Sequence, residues 1–396
     1  MTALFGGAQS LLPVSVLTGF LGSGKTTLLN RLVRSPQMDR ALVIINEFGA
    51  VSLDHDLIVR SDDNLVMEMM GGCLCCTIRG DLRATLRDAP WRFARDGKCW
   101  FDRVVIETTG LADPAPVLHT LLTDPDLINV YRLDAVIATV DAAAGMATMD
   151  RQEEAVKQAA MADRILLTKT DLASADERSA IERRLRGLNP AAPILPVVDG
   201  EVDPAALFDA GLYNPETKSN DVQRWLQLEA YEAPHDHDHD HHGHHDHGHG
   251  HSHDHDHDHH HDVNRHDDRI HATCLTFDDP LQPEAFERWI DILTMFKGPD
   301  ILRVKGIVNL IGEDRPVVIH GVQHIFHPPV LLDAWPSDDR RTRLVFITRD
   351  ISEDELRSTL ALMTNGIERF GLQGISGYDP GEGLLPQSGI GAPQWR

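Results

Sequence analysis

The chain has 396 residues, 42% of them hydrophobic and 25% charged, an ordinary globular composition long enough for two domains and a linker. Its formal net charge of −24 disfavours nucleic acid bound through a general basic face. No run of about 18 apolar residues exists to span a membrane.

Met1 to Ser10 has no basic region followed by an apolar core, so no secretory signal is expected and a cytoplasmic location is. In chain order, the sequence first predicts a short apolar strand, Val14 to Thr18, then a Gly-rich turn and a helix, Thr26 to Leu32. Further buried strands are expected at Ala41 to Ile45, Leu65 to Met69, Val104 to Ile106, Ala135 to Val140, Arg164 to Leu167 and Ile194 to Val198. Helices are expected at Asp81 to Arg87, Glu153 to Met161 and Ala175 to Leu188. Alternating strands and helices predict an α/β fold, a doubly wound, mostly parallel sheet of the P-loop NTPase kind with helices on both faces. The near-continuous apolar strands fit a sheet covered on both sides.

The character changes after about Tyr231. From His235 to Asp262 nearly every residue is His or Asp; such a run buries no core and reads as a disordered linker. Beyond it the pattern predicts a strand at Ala272 to Phe277, a helix at Pro283 to Phe296, and a strand pair, Ile301 to Ile311 with Pro316 to Phe326, joined at Gly312-Glu313-Asp314. A strand at Arg343 to Thr348 and a helix at Ser352 to Met363 complete a small α+β domain. The expected boundaries are 1–231 for the first domain, 232–268 for the linker, 269–370 for the second domain and 371–396 for a Gly/Pro-rich tail.

Gly19, Gly24, Lys25 and Thr26 match G-x-x-x-x-G-K-[ST]. Here the motif follows a predicted strand and opens a helix, the setting in which backbone N–H groups and a helix N-terminus cradle phosphates. Lys25 is expected to reach the β- and γ-phosphates and the Thr26 hydroxyl to ligate Mg²⁺. Glu107 ends the apolar strand Val104-Val105-Ile106, where an acid contacts the Mg²⁺ shell or a water, and Gly110 is placed to sense a γ-phosphate. Thr168-Lys169-Thr170-Asp171 follows another strand. An Asp there accepts two hydrogen bonds from guanine, a donor pair adenine lacks, so GTP is favoured, although the commonest guanine motif begins with Asn. The expected nucleotide-binding set is Gly22, Ser23, Gly24, Lys25, Thr26, Thr27, Gly110, Thr168, Lys169 and Asp171; the expected catalytic set is Lys25, Thr26 and Glu107.

Of the five cysteines, Cys73, Cys75 and Cys76 crowd into four positions. In a reducing compartment that spacing favours metal binding or redox work over a disulfide. Thiolates are soft ligands for Zn²⁺, and three leave one coordination place open, which suits a site that releases its ion. Acid should weaken such a site, because the thiols must be deprotonated. Cys99 and Cys274 are isolated. The His/Asp run offers many imidazoles able to hold several Zn²⁺, Ni²⁺ or Co²⁺ ions loosely; a solvated spacer is the alternative. His320, His324 and His327 fall on a predicted strand and its following loop, where their spacing does not converge them, and read as ordinary surface histidines.

Gly19-Phe20-Leu21-Gly22-Ser23-Gly24-Lys25-Thr26-Thr27, Asn46-Glu47-Phe48-Gly49, Gly72-Cys73-Leu74-Cys75-Cys76, Glu107-Thr108-Thr109-Gly110 and Thr168-Lys169-Thr170-Asp171 together resemble the CobW-like metallochaperone GTPases. Arg303-Val304-Lys305-Gly306 and His320-Gly321-Val322-Gln323 are similar to that family's C-terminal domain. The resemblance implies a GTPase that carries metal on its C-x-C-C thiolates and releases it to a client metalloprotein on hydrolysis. Asp171 would read guanine, and Glu47 and Phe48 would lie in the nucleotide-sensing segment. The His-rich linker leans the metal toward zinc. The alternatives are a cobalt or nickel/iron insertion GTPase, a non-catalytic metal store and a small-substrate P-loop kinase. No nucleic-acid or membrane partner is expected; a homo-oligomer is compatible with the sequence.

Overall fold

The computed structural model describes residues 11–48, 65–71, 76–208, 269–326 and 329–364. Cys73, Cys75, His327, the His/Asp run and the tail lie outside them. The first domain runs β1 (Leu12–Gly19), α1 (Lys25–Leu32), β2 (Ala41–Phe48), β3 (Leu65–Gly71), α2 (Cys76–Arg92), a ribbon of β4 (Ala94–Arg95) and β5 (Lys98–Cys99), then β6 (Arg103–Glu107) and α3 (Ala115–Thr123). It continues with β7 (Tyr131–Asp141), α4 (Gly145–Arg151), α5 (Glu153–Ala160), β8 (Arg164–Thr168), α6 (Ala175–Leu188) and β9 (Ile194–Val197). The second domain comprises β10 (Ile270–Phe277), α7 (Pro283–Lys297), β11 (Ile301–Val308), β12 (Val317–Val322), β13 (Ile325–Phe326), β14 (Val330–Leu331), β15 (Thr342–Arg349) and α8 (Glu353–Thr364).

Seven strands form one sheet in the order β3-β2-β6-β1-β7-β8-β9, and every pairing in it is parallel. The strands up to Glu107 lie on one side of β1 and the later ones on the other. A doubly wound sheet binds its ligand at the carboxyl edge of such a switch point, and β1 delivers the phosphate loop there. Strand alternation sorts the core. Val14, Val16, Leu42, Ile44, Val104 and Ile106 pack on one face with Leu82 and Leu86 of α2 and Leu118 of α3. Leu17, Val43, Ile45, Val105 and Ile137 pack on the other with Leu28, Leu29 and Leu32 of α1. Helix α6 is nucleated by a capping box, Ser174 with Glu177, which satisfies two N-terminal backbone donors reciprocally.

The second domain is an antiparallel sheet, β10-β15-β11-β12-β13 with β14 beside β12. One face is covered by α7 and α8 through Phe286, Trp289, Leu293 and Leu356. The opposite face presents Ile270, Leu302, Val322 and Ile347, which join the core of the first domain. The two domains therefore share a packed seam.

Several expectations need adjusting. The expected helix Asp81 to Arg87 begins at Cys76 and runs 17 residues. The expected strand Pro316 to Phe326 is split by a turn at Gln323 and His324, with Gln323 at φ 55°. Helices α3 and α4 were not anticipated. Helix α3 has a mostly apolar, largely buried sequence, APVLHTLLT, and a short apolar run does not by itself separate a buried helix from a strand. No helix among the described residues is long and apolar enough to cross a membrane.

Candidate functional site: a phosphate loop at the sheet edge

Residues 19–24 connect β1 to α1, and Gly19, Gly22 and Gly24 all carry positive φ. Behind the loop, the Ser23 hydroxyl donates to Phe20 O at 2.7 Å and lies 2.6 Å from the Thr139 hydroxyl. Thr168 Oγ1 donates to Ser23 O at 2.7 Å. Ser23 and Thr168 are thus buried supports of the loop. Lys25 Nζ donates to Gly19 O at 2.7 Å and to Phe20 O at 3.1 Å, which holds a buried ammonium among loop carbonyls until a better acceptor arrives.

In front of the loop lies a cavity of ≈ 620 Å³, within the range typical of small-ligand sites, about 300–1,000 Å³. Gly22, Gly24, Lys25, Thr26, Thr27 and Lys169 line it, and Asn30, Arg31 and Arg34 extend the lining. It combines backbone donors with four cationic side chains, a set suited to polyphosphate. Thr26 Oγ1 donates to Glu107 Oε1 across 3.5 Å, so the first turn of α1 and the end of β6 bring a hydroxyl and a buried carboxylate together.

The segment after Glu107 is drawn against the loop. Thr108 Oγ1 donates to Thr18 Oγ1 at 2.9 Å. A Cβ on Gly110 would lie 2.6 Å from the Leu21 backbone N, so this close approach admits only glycine. From the other side Gln158 of α5, buried, donates to Gly110 O at 3.1 Å and Ala112 O at 3.0 Å. Among the described residues the buried Thr109 Oγ1 has no hydrogen-bond partner, nor has Asn30 Oδ1. A buried unsatisfied polar atom carries a desolvation cost that a ligand or water relieves.

Lys169 stands at φ 54° just beyond β8 and its ammonium donates to Gly22 O at 2.7 Å and Asp141 Oδ2 at 2.6 Å. Burial works to raise the Asp141 carboxyl, but Lys169 and the Ala144 and Ala143 N–H groups outweigh it and hold the group below its ordinary value. Asp171 is exposed, outside the residues lining the cavity. The sequence analysis missed Thr139, Asp141 and Gln158. Asp141 carried one signal, an acid closing an apolar strand; Thr139 and Gln158 carried none, because their roles depend on partners 116 and 48 residues away.

Of the thiol segment, only Cys76 falls within the described residues, as the first residue of α2; Cys73 and Cys75 lie outside them. The backbone on either side is informative. β2 and β3 are paired in parallel to their last residues, Glu47 with Met70 and Phe48 with Gly71. The chain therefore enters the Gly72–Cys75 segment from the same sheet edge that carries the phosphate loop. Cys99 and Cys274 are both half-buried and in no disulfide. Among the described residues no group of three or more His, Cys, Asp or Glu side chains could hold a metal ion.

The seam between domains is polar at its centre. Arg303 donates to Met161 O and to Asp163, and Lys305 Nζ donates to Asp163 Oδ1 at 2.6 Å. Burial favours the neutral acid at Asp163, yet Arg303, then Lys305 and His320, drive it well below the usual carboxylate range. Arg349 bridges Glu153 of α5 at 2.8 Å and Asp300 at 2.7 Å. His320, expected on the surface, is buried in β12 opposite Lys305.

Comparison with known proteins agrees with this architecture. Residues 13–196 match the family model described as CobW/HypB/UreG, nucleotide-binding domain, and residues 270–363 match the cobalamin synthesis protein cobW C-terminal domain. The zinc chaperone YjiA of Escherichia coli (strain K12) is 30% identical over 348 residues, covering 88% of this chain and 97% of that protein. The zinc chaperone CobW of Pseudomonas aeruginosa is 30% identical over 386 residues, covering 88% and 92%. The crystal structure of Zn(II)-bound YjiA GTPase from E. coli superposes with a TM-score of 0.63 at 26% identity, over 90% of this chain and 99% of that one.

Proposed function

The chain belongs to the CobW/HypB/UreG family and is a GTPase, and from that premise we propose that it is a zinc metallochaperone, taking up metal on Cys73, Cys75 and Cys76 and passing it to a client metalloprotein when GTP is hydrolysed. The relatives named as zinc chaperones support zinc over cobalt or nickel. The observation that carries the coupling is the register of β2 and β3, Phe48 opposite Gly71, which starts the thiol segment and the segment after Asn46-Glu47-Phe48 side by side at the edge where β1 ends in the phosphate loop.

In this reading the loop backbone from Gly22 to Thr27 binds the phosphates. Lys25 exchanges its two carbonyl acceptors for the β- and γ-phosphate oxygens, as charge builds there in the transition state. Thr26 and Glu107 supply the oxygen donors that a hard cation prefers and would hold Mg²⁺, which when bound would offset negative charge on the phosphates. Thr109 and Gly110 stand where a γ-phosphate would report its presence, and Gln158 relays their position to α5. Asp171 reads guanine from the rim. The His/Asp run between His235 and Asp262 concentrates metal for the thiol site.

A γ-phosphate orders such loops and hydrolysis releases them. The test is zinc affinity, measured by competition with a chelating dye, with GDP and with a non-hydrolysable GTP analogue bound. The GTP-like state should bind zinc more tightly by roughly 5–150-fold, the usual range of inter-site coupling, and Cys75→Ala should abolish the difference. Equal affinities in the two states would mean that hydrolysis cannot drive release through the thiols.

A further inference from the structure

Helix α5 is held at both ends by the second domain and in the middle by the segment after Glu107. At its first residue, Arg349 of β15 donates to Glu153 Oε1 at 2.8 Å while it also binds Asp300. Just beyond its last residue, Arg303 donates to Met161 O and to Asp163, which Lys305 holds as well. Between these anchors, about 7.5 Å along the axis from Glu153, Gln158 donates to Gly110 O at 3.1 Å and to Ala112 O at 3.0 Å. We propose that Gln158 is a positioning residue for GTP hydrolysis, through which the C-terminal domain, by its hold on α5, sets the place of Thr109 and Gly110 against the phosphate loop. This rests on the reading of Thr109 and Gly110 as contacts of the γ-phosphate.

The geometry leaves Gln158 one orientation. Both of its acceptors are backbone carbonyls, so the NH₂ end of the amide must face them and both N–H donors are committed. The side chain is 1% exposed, and solvent does not compete for those donors. Ala112 N donates to Thr109 O at 3.1 Å, which closes residues 109–112 into a turn. Gln158 grips that turn at two of its carbonyls, and Thr109 moves with it.

The turn has little slack on its other side. An added Cβ on Gly110 would lie 2.6 Å from Leu21 N, so Gly110 is wedged between the phosphate loop and α5. Gln158 also lines, with Phe20, Leu21, Ser23 and Thr139, the small cavity behind that loop. At the far end of α5, Asn189 Nδ2 donates to Ala159 O, Ala160 O and Ala162 O at 2.9–3.0 Å, which keeps the last turn from absorbing a displacement. Packed elements shift as units rather than deform smoothly. A change in the grip of Arg349 or Arg303 on α5 is therefore felt at Gly110, and a shift of Gly110 is felt at the seam.

The test is a double-mutant cycle on the full chain, read by initial rates of GTP hydrolysis, by GDP affinity and by thermal unfolding. Gln158→Met keeps the length of the side chain and removes both donors. It should lower kcat by roughly 10–100-fold, the scale of a misplaced reacting group, and leave GDP affinity unchanged. Arg349→Gln should lower kcat several-fold in the wild-type background and not at all in the Gln158→Met background, where its route is already cut, while the losses of stability add. A merely structural pair would lose stability in the same way without that non-additivity in kcat. The same effect of Arg349→Gln in both backgrounds, whether a loss or none, would overturn the coupling. Wild-type turnover in Gln158→Met would overturn the positioning role; if Thr109→Val also turns over like wild type, the γ-phosphate reading of the segment falls with it, and if Thr109→Val is impaired, that reading stands alone. A second measurement needs no buried substitution. Hydrogen exchange of the wild-type chain should show α5 and β11 better protected with a non-hydrolysable GTP analogue than with GDP, and equal protection would overturn the link.

Discussion

The cleft in front of the phosphate loop and the domain seam are both charged, but they are built in opposite ways. In the cleft, one run of residues from Gly19 to Thr27 supplies most of the surface, and its long-range partners, Thr139, Glu107 and Thr168, brace it from behind or from one side. In the seam no short run suffices. Asp163 meets Arg303 and Lys305 from 140 and 142 residues away, and Glu153 meets Arg349 across 196. Among the described residues Asn30 Oδ1, in the cleft, and the Thr109 hydroxyl, in the segment packed beside its loop, have no hydrogen-bond partner, whereas the seam surrounds its buried carboxylate with cations. One region is arranged to receive charge from outside and the other to neutralise its own. Perturbing the cleft should therefore cost activity, and perturbing the seam should cost stability.

The largest expected effect is in the seam. Asp163→Asn leaves Arg303 and Lys305 facing a neutral group in a buried site, and breaking one side of a buried pair costs about 3–5 kcal/mol. Thermal unfolding measures it; a loss under about 1 kcal/mol would show that the charges contribute little there. The pH dependence has a definite sign. Because the folded value of Asp163 is depressed, its stabilisation is fully present above the ordinary carboxylate value of about 4. It is lost as pH falls from there through the depressed folded value. The gap between wild type and Asp163→Asn should not narrow between neutrality and about pH 4 and should narrow below it.

Next comes the cleft. Under the proposed function Lys25→Ala would remove the main cation facing the γ-phosphate, and loss of a comparable transition-state donor lowers turnover by about 10²–10³-fold, or 2.7–4 kcal/mol. Initial GTP hydrolysis rates measure this, and the unfolding temperature should move far less than for Asp163→Asn. A variant that unfolds early and retains turnover would reverse the contrast between the two regions.

The smallest change separates the two most cleanly. Thr109→Val deletes a buried hydroxyl that has no hydrogen-bond partner among the described residues, at nearly constant volume. Stability should be unchanged or slightly higher, because an unsatisfied group is removed. GTP turnover should nonetheless fall if that hydroxyl meets the nucleotide or its water. Wild-type turnover together with lowered stability would place Thr109 among the structural threonines.

What the sequence determined by itself is the part written in contiguous residues. The spacing of Gly19, Gly24, Lys25 and Thr26, followed by α1, specifies a loop whose conformation is local, since backbone N–H groups need only the right φ and ψ to face a phosphate. The apolar runs gave the seven parallel strands for the same reason: burial on both faces leaves a compositional mark on each strand separately. Even Glu107 was legible, as an acid closing an apolar run. The tertiary structure alone decided which surfaces meet. Period-two alternation shows that Arg303 and Lys305 share a face of β11, but not that Asp163 lies opposite. Nothing near Gln158 in the chain announces Gly110 O as its acceptor, and the spacing of His320 and His324 gave no hint that one is buried beside the seam while the other faces His119. A side chain's partner across more than a hundred residues is fixed by how two packed layers dock, and that docking is set by the summed shape of both surfaces rather than by any segment of either.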